Sequence, residues 1–296
     1  MGQNLYDNYE ASRKIYDEAN KILDWDVQEV CFADKNGIIN QTRYTQAALF
    51  TTTIATYNAV VESGIKPDAV AGFSLGEYSA LVASGILTFQ DALKIVDLRA
   101  EFMDKAATNQ PGKMSAVIGI GADVVSEVCA TLASQGKIVT LANDNCVGQV
   151  VISGQADAVG EASTILTEKG ARRVVPLAVS GAFHSPLMET AADSLKEKLS
   201  QFEFSDPKIP IISNVTADYM TSKEQVITYI PEQIIMGVRF RETLNRLIND
   251  GFDTFIEVGV KKTLCGFVSK TSKEVNVYNI EDKASLEKTI KMLEGR

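Results

Sequence analysis

The segment that most constrains the fold is Asp68-Ala69-Val70-Ala71-Gly72-Phe73-Ser74-Leu75-Gly76-Glu77, because it has to turn an apolar strand into a helix within a few residues. Asp68 to Gly72 reads as a short strand, and Glu77 to Ser84 as a helix that ends at Gly85. At the junction, Gly72-Phe73-Ser74-Leu75-Gly76 has the G-x-S-x-G spacing that lifts a serine hydroxyl into the open on a tight turn. The flanking glycines are expected to supply backbone angles that other residues resist. A plainer reading, a glycine-rich turn chosen for packing, fits the same string.

A serine so placed needs a base, and imidazole is the side chain best suited to take and return its proton at neutral pH. The chain has a single histidine, His184, within Ser180-Gly181-Ala182-Phe183-His184-Ser185. It lies among small residues beside Pro186, in what reads as a loop between a strand and a helix. That setting favours a functional role over a structural one.

The 296 residues are 45% hydrophobic and 23% charged, which suits a soluble globular chain with material for one or two domains. No apolar run approaches the length that crosses a bilayer, and the amino terminus lacks the basic and apolar regions of a signal peptide, so no membrane partner is expected. The net charge of −9 argues against nucleic acid. Cys31, Cys129, Cys146 and Cys265 are far apart, and with one histidine they make no familiar zinc site. They read as reduced thiols in a cytoplasm, and neither metal nor cofactor is expected.

Helical spacing is found over residues 5–24 and 44–64 and from Phe89 to about Ala106. After Pro111-Gly112 the texture changes to strand (Met114 to Gly119), helix (Asp123 to Ser134), strand (Ile138 to Asn143), strand (Gln149 to Gly154), helix (Asp157 to Lys169) and strand (Arg173 to Val179). This β-α-β-β-α-β order is that of a ferredoxin-like α+β unit, so residues 113–182 are expected to form a small inserted subdomain. Residues 1–112 and 183–296 then make the large α/β catalytic subdomain. Its later part reads as a helix from Pro186 to Phe202, a strand at Ile209 to Asn214, a helix from Arg239 to Asn249, a strand at Thr254 to Val258, a helix near Thr263 to Lys270, a strand at Val275 to Asn279 and a final helix. Strands alternating with helices predict a mainly parallel sheet covered on both faces.

One charged residue does not fit its helix. At about 100° per residue, Lys94, Asp97, Glu101 and Asp104 share one arc of the helix that begins at Phe89, and Arg99 falls in the middle of the apolar arc opposite. An inward arginine is costly unless it meets an anion, and its planar fork suits a carboxylate. The anion is either one of the protein's own carboxylates or part of a substrate.

These features together resemble the malonyl-CoA:acyl carrier protein transacylases and the related acyltransferase domains of polyketide and fatty acid synthases. The resemblance covers nearly the whole chain. It is carried by Gly72 to Leu81, by Arg99 in Val96-Asp97-Leu98-Arg99, by Gln149-Val150-Val151-Ile152-Ser153-Gly154 and by Gly181 to Met188. Further matches are Ser213-Asn214-Val215-Thr216-Ala217 and Gly237-Val238-Arg239-Phe240 followed by Ile256-Glu257-Val258-Gly259.

The resemblance implies an α/β-hydrolase-like large subdomain, and an enzyme that moves a malonyl group from malonyl-CoA to acyl carrier protein. It implies that Ser74 is the nucleophile, that His184 is the general base and acid, and that Arg99 binds the malonyl carboxylate. It further implies that Gln233 orients His184 through its backbone carbonyl, that Gln46 lines the site, and that the Leu75 amide supplies half of the oxyanion hole. Phe183 resembles the aromatic of malonyl-selecting members, which crowds out an α-methyl branch; one methyl is worth only about 1–3 kcal/mol, so partial selectivity is expected.

The departures from the family are local. The family begins with a strand and a glycine- and glutamine-rich loop that supplies the other oxyanion amide; this chain starts just after that point, and its native start is expected upstream. Phe73 stands where the family has histidine, Val147 and Gly237 where proline is common, and Val260-Lys261 in place of Pro-Gly. Two other readings stay open. A serine hydrolase, thioesterase or esterase, would share the turn, although such enzymes usually place an acid between serine and histidine and the histidine near the carboxyl end. A non-catalytic carrier-protein docking module is the other. The chain is expected to be a monomer that docks its acidic carrier on Arg172, Arg173, Lys261, Lys262 and Lys270.

Overall fold

In the computed structural model, which describes residues 1–295, the first hundred residues are mostly helical. They form α1 (Gln3–Asn8), α2 (Glu10–Ile22), α3 (Val27–Phe32), α4 (Thr42–Glu62), the two-residue strand β1 (Val70–Ala71) and α5 (Gly76–Ala83), and enter α6 (Phe89–Asn109). An alternating stretch follows: β2 (Lys113–Ile118), α7 (Ala122–Ala133), β3 (Val139–Cys146), β4 (Gln149–Gly154), α8 (Ala156–Glu168) and β5 (Arg173–Pro176). The rest is α9 (Glu189–Lys198), β6 (Ile211–Ile212), β7 (Tyr219–Met220), α10 (Lys223–Ile235), α11 (Phe240–Asn249), β8 (Thr254–Val258), α12 (Thr263–Thr271), β9 (Asn276–Ile280) and α13 (Lys283–Glu294). The fold is mixed α/β, rich in helix, with small sheets.

Two units make up the chain. The first holds Met1–Ala100, Glu203–Ile211 and the chain from Leu247 onward. Its strands β8 and β9 run parallel, in register from Thr254 opposite Asn276 to Val258 opposite Ile280. Ile256 and Val258 of β8 pack on a core of Leu5, Ala59, Val60, Ile280 and Leu286. Helix α4 is apolar or small on nearly every side, from Ala47 and Ala48 through Phe50, Thr51, Thr52 and Ile54 to Val60. Such a helix belongs in an interior rather than on a surface, and Phe50 stacks flat on Phe89 of α6 at 5.7 Å.

The continuous helix expected over residues 5–24 is broken at Tyr9, whose backbone is extended. Asn8 donates from its side-chain amide to the Asn4 carbonyl at 2.7 Å, a local bond of the kind that competes with helix propagation.

The second unit holds Glu101–Phe202 and Ile212–Arg246. Strands β2 to β5 form an antiparallel sheet in the order β3-β4-β2-β5. Alternation along the strands sorts the faces. Val117, Val139, Val150 and Ile152 pack against Val125, Val128, Cys129 and Leu132 of α7 and Ala158, Val159, Ala162 and Leu166 of α8. Met114, Ala142 and Val151 form a separate cluster against which Phe183 packs.

Strand β3 is irregular between Leu141 and Asn143 and again between Asp144 and Cys146. There its backbone turns to another partner: the Val238 amide donates to the Ala142 carbonyl at 2.8 Å, and the Asp144 amide to the Val238 carbonyl at 2.9 Å. A Cβ on Gly237 would lie 2.5 Å from the Leu141 carbonyl oxygen, so the close approach needs glycine. Arg241 completes the seam by gripping the buried Asp144 carboxylate from Nε at 3.0 and 2.9 Å.

Helix α10 has no counterpart in the pattern expected from the sequence. It carries Pro231 in its interior, where proline removes a backbone donor and normally argues against a helix. The helix expected over 186–202 is instead α9 flanked by two short 3₁₀ turns. The first of these is capped by the Ser185 hydroxyl, which accepts from the Leu187 amide.

Candidate active site

Ser74 sits between β1 and α5 with φ of 50°. The turn around it is closed by backbone bonds from Gly76 to Phe73 (2.9 Å), Glu77 to Ser74 (3.0 Å) and Tyr78 to Leu75 (3.1 Å). The expectation that the flanking glycines supply the unusual angles is corrected here. Neither Gly72 nor Gly76 has positive φ; the serine itself is left-handed. Gly72 is needed for a different reason: a Cβ there would lie 2.0 Å from the Gly76 carbonyl carbon and oxygen and 2.2 Å from the Glu77 nitrogen. Beside Gly76 there is open space. A left-handed non-glycine residue stores on the order of 1–3 kcal/mol, and such residues persist where their surroundings over-determine them.

The inward arginine of α6 belongs to the same unit and reaches the serine. Arg99 is 2% exposed, and its Nη2 donates to Ser74 Oγ at 3.2 Å while Nη1 donates to Gln46 Oε1. Its guanidinium carbon lies 5.4 Å from the centroid of the Tyr78 ring. Burial pushes the guanidinium pKa down, opposed by Tyr78 and by the buried Glu77 carboxylate. Burial also pushes the Tyr78 hydroxyl up to about 12, against the pull of Arg99. A cation whose charged form is penalised by desolvation gains most from an arriving anion.

His184, in the second unit, is 4% exposed and also left-handed, with φ of 57°. Its Nδ1 lies 2.7 Å from the Gln233 carbonyl oxygen, and its amide donates to the Ile234 carbonyl at 3.1 Å. Thr140 of β3 donates from Oγ1 to the His184 carbonyl at 3.3 Å. Because a carbonyl only accepts, Nδ1 carries the proton of the neutral ring and Nε2 is left with the lone pair. Both carbonyls come from the last turn of α10, where helical carbonyls lack partners within the helix and the macrodipole is negative. The end of α10 thus gives the imidazole a backbone acceptor at Gln233, and the His184 amide another at Ile234. Its position is fixed by the bulged β3, which holds Val238 three residues after Ile235.

Each unit thus carries one constellation. Ser74, Gln46 and Arg99 are joined in the first, where Leu75 is the residue that leads into α5. His184 and the Gln233 carbonyl are joined in the second, where Phe183 packs half-buried on Met114, Ala142 and Val151. Reasoning from the sequence missed Thr140, Ile234 and the ring face of Tyr78. Only Tyr78 left a signal, lying one helical turn beyond Ser74. Arg172, Arg173, Lys261, Lys262 and Lys270 are all exposed, and Lys261 has φ of 69°. None of the four cysteines is in a disulfide. No helix among the described residues is long and apolar enough to cross a membrane.

The chain is similar to known proteins over nearly its whole length. Residues 1–295 match the acyl transferase domain family. The malonyl CoA-acyl carrier protein transacylase of Bacillus subtilis is 43% identical over 293 residues, 99% of this chain and 92% of the relative. The crystal structure of MCAT from Streptococcus pneumoniae superposes with a TM-score of 0.94 at 40% identity, covering 99% of this chain and 95% of that one. A malonyl-transacylase solved in complex with a type II PKS acyl-carrier protein superposes with a TM-score of 0.94 at 33% identity, covering 100% and 95%. The hydrolase and docking-module alternatives find no support among these relatives. Matched to the family along residues 1–295 and 43% identical to a relative over nearly its whole length, the chain belongs to the acyl transferase domain family, as an acyltransferase of the malonyl CoA-acyl carrier protein transacylase group.

Proposed function

We propose that this chain transfers a malonyl group from malonyl-CoA to the phosphopantetheine thiol of an acyl carrier protein through a malonyl ester on Ser74. The observation that carries the reading is the Arg99 guanidinium 3.2 Å from Ser74 Oγ, a carboxylate-matching fork beside a nucleophile. The relatives named for this reaction support it.

In the first half-reaction Nε2 of His184 takes the Ser74 proton as Oγ attacks the thioester carbonyl. The carbon–sulfur bond then breaks, and the coenzyme A sulfur leaves with the proton that His184 returns. In the second half the carrier thiol gives its proton to His184, its sulfur attacks the ester carbonyl, and the bond to Oγ breaks as Ser74 regains a proton. The Gln233 carbonyl keeps Nδ1 protonated throughout. The Leu75 amide is one oxyanion donor, a kind of contact worth about 100- to 1000-fold in turnover. Arg99, held by Gln46, neutralises the malonyl carboxylate and fixes the acyl group, so that the thiol outcompetes water. Phe183 disfavours an α-methyl branch.

The same reading gives the chain a large α/β-hydrolase-like subdomain over 1–112 and 183–296 with a ferredoxin-like insertion at 113–182, a monomeric state, a cytoplasmic setting, and carrier docking on the exposed basic residues. The test is incubation with malonyl-CoA followed by intact mass. Wild type should gain one malonyl group on Ser74 and lose it to carrier protein; a stable malonyl adduct on Ser74→Ala refutes the assignment.

A further inference from the structure

Arg99 is one of the most deeply buried charges in the first unit, and it must be compensated whether or not substrate is present. A carboxylate pressed on the edge of its fork would do this, but would occupy the N–H groups that a substrate carboxylate needs. An aromatic ring does it differently. It meets the flat face of the guanidinium and leaves the edge for a bidentate partner.

We propose that Tyr78 is a positioning residue for Arg99, its ring face holding the guanidinium so that the edge stays turned toward Ser74 and open to the malonyl carboxylate. The inference rests on the reading of Arg99 as the partner of that carboxylate. Three observations carry it. The ring is 1% exposed and lies 5.4 Å from the guanidinium carbon, within cation–π range. The same guanidinium donates along its edge to Gln46 Oε1, which holds it, and from Nη2 to Ser74 Oγ, a neutral acceptor that a carboxylate can outbid. Tyr78 stands in the first turn of α5, its amide bonded to the Leu75 carbonyl at 3.1 Å, so the ring and the nucleophile ride on one turn of backbone. The distance between nucleophile and carboxylate clamp is thereby tied to helix geometry rather than to a separate loop. The hydroxyl, driven upward by burial against the pull of the Arg99 charge and of a hydrogen bond between the two groups, stays protonated at neutral pH, so Tyr78 meets the guanidinium as a neutral group and not as a phenolate counter-ion.

The test compares kcat/KM for malonyl-CoA and for acetyl-CoA, with carrier protein as acceptor, in wild type, Tyr78→Phe and Tyr78→Leu. The ratio of the two constants is independent of the fraction of enzyme that is folded, so a destabilised variant remains informative. Tyr78→Phe keeps the ring and should keep the wild-type ratio. Tyr78→Leu should lower the ratio by about 2- to 30-fold, mainly through KM for malonyl-CoA. Equal losses for both substrates in Tyr78→Leu, or a fall in Tyr78→Phe as large as in Tyr78→Leu, would overturn the proposal. A wild-type enzyme with no preference for malonyl over acetyl would instead overturn the reading on which it rests.

Discussion

The two glycines of the serine turn should respond oppositely to the same methyl group. In Gly72→Ala the new Cβ would stand 2.0 Å from the Gly76 carbonyl carbon and oxygen and 2.2 Å from the Glu77 nitrogen. Heavy atoms settle at about 3.5–4.0 Å, so the head of α5 must retreat by roughly 1.5 Å, and these are backbone atoms with no side-chain freedom to yield. Overpacking of this kind costs about 1–3 kcal/mol, several degrees of Tm at this chain length. Ser74 lies between the clashing residues, and a displacement of about 1 Å at a reacting group costs about 100-fold in rate.

In Gly76→Ala the methyl meets nothing within 4 Å, and φ there is not positive. The loss of unfolded-chain freedom should stabilise by about 0.4–1 kcal/mol. Thermal unfolding of both variants, with rapid-quench measurement of the malonyl-enzyme burst for Gly72→Ala, provides the comparison. The reasoning fails if Gly76→Ala loses as much Tm as Gly72→Ala, or if Gly72→Ala acylates at the wild-type rate.

Three further outcomes follow from the same geometry. Arg99→Ala should lower malonyl transfer by about 100-fold or more, as loss of one partner of a buried ion pair does, while acetyl transfer falls far less; parallel kinetics on the two thioesters decide it. Gln233→Ala leaves the carbonyl that accepts from His184 in place, so single-turnover acylation should stay within about tenfold of wild type, whereas His184→Ala should abolish the burst. Asp282 caps α13 in a capping box with Ser285, whose hydrogen bonds hold the carboxyl below its ordinary value. Asp282→Ala should therefore cost about 0.5–2 kcal/mol in denaturant melts above that ordinary value, a difference that shrinks as pH falls through the lowered one.

What could be read in advance depended on whether a residue's role is set by neighbours in sequence or in space. Ser74 was readable because strand, turn and helix are contiguous, and the burial of Arg99 because a helical wheel is a local calculation. The division of labour between Gly72 and Gly76 was not, since a pattern of glycines does not say whether each is there for its dihedral or for the room it leaves. Helix α10 was hidden by Pro231, which breaks the usual signal in mid-helix, and with α10 unread the spatial setting of Gln233 rested on resemblance alone. Thr140 reaches His184 across 44 residues from a strand whose bulges have no sequence signature.

The two carbonyls that hold His184 belong to the peptide backbone, and this shapes how such a site can change over generations. An acceptor of that kind has no codon of its own: exchanging the amino acid at 233 or 234 leaves the oxygen where it was. Genetic drift at those positions is free to follow packing, while the function is exposed to lesions that shift the path of the chain, an insertion or deletion between α10 and α11 or a bulky residue at Gly237. On the proposed role of His184, a base seated in this way tolerates substitution in its orienting partner and is intolerant of changes in loop length, the reverse of what holds for a triad anchored by an aspartate side chain.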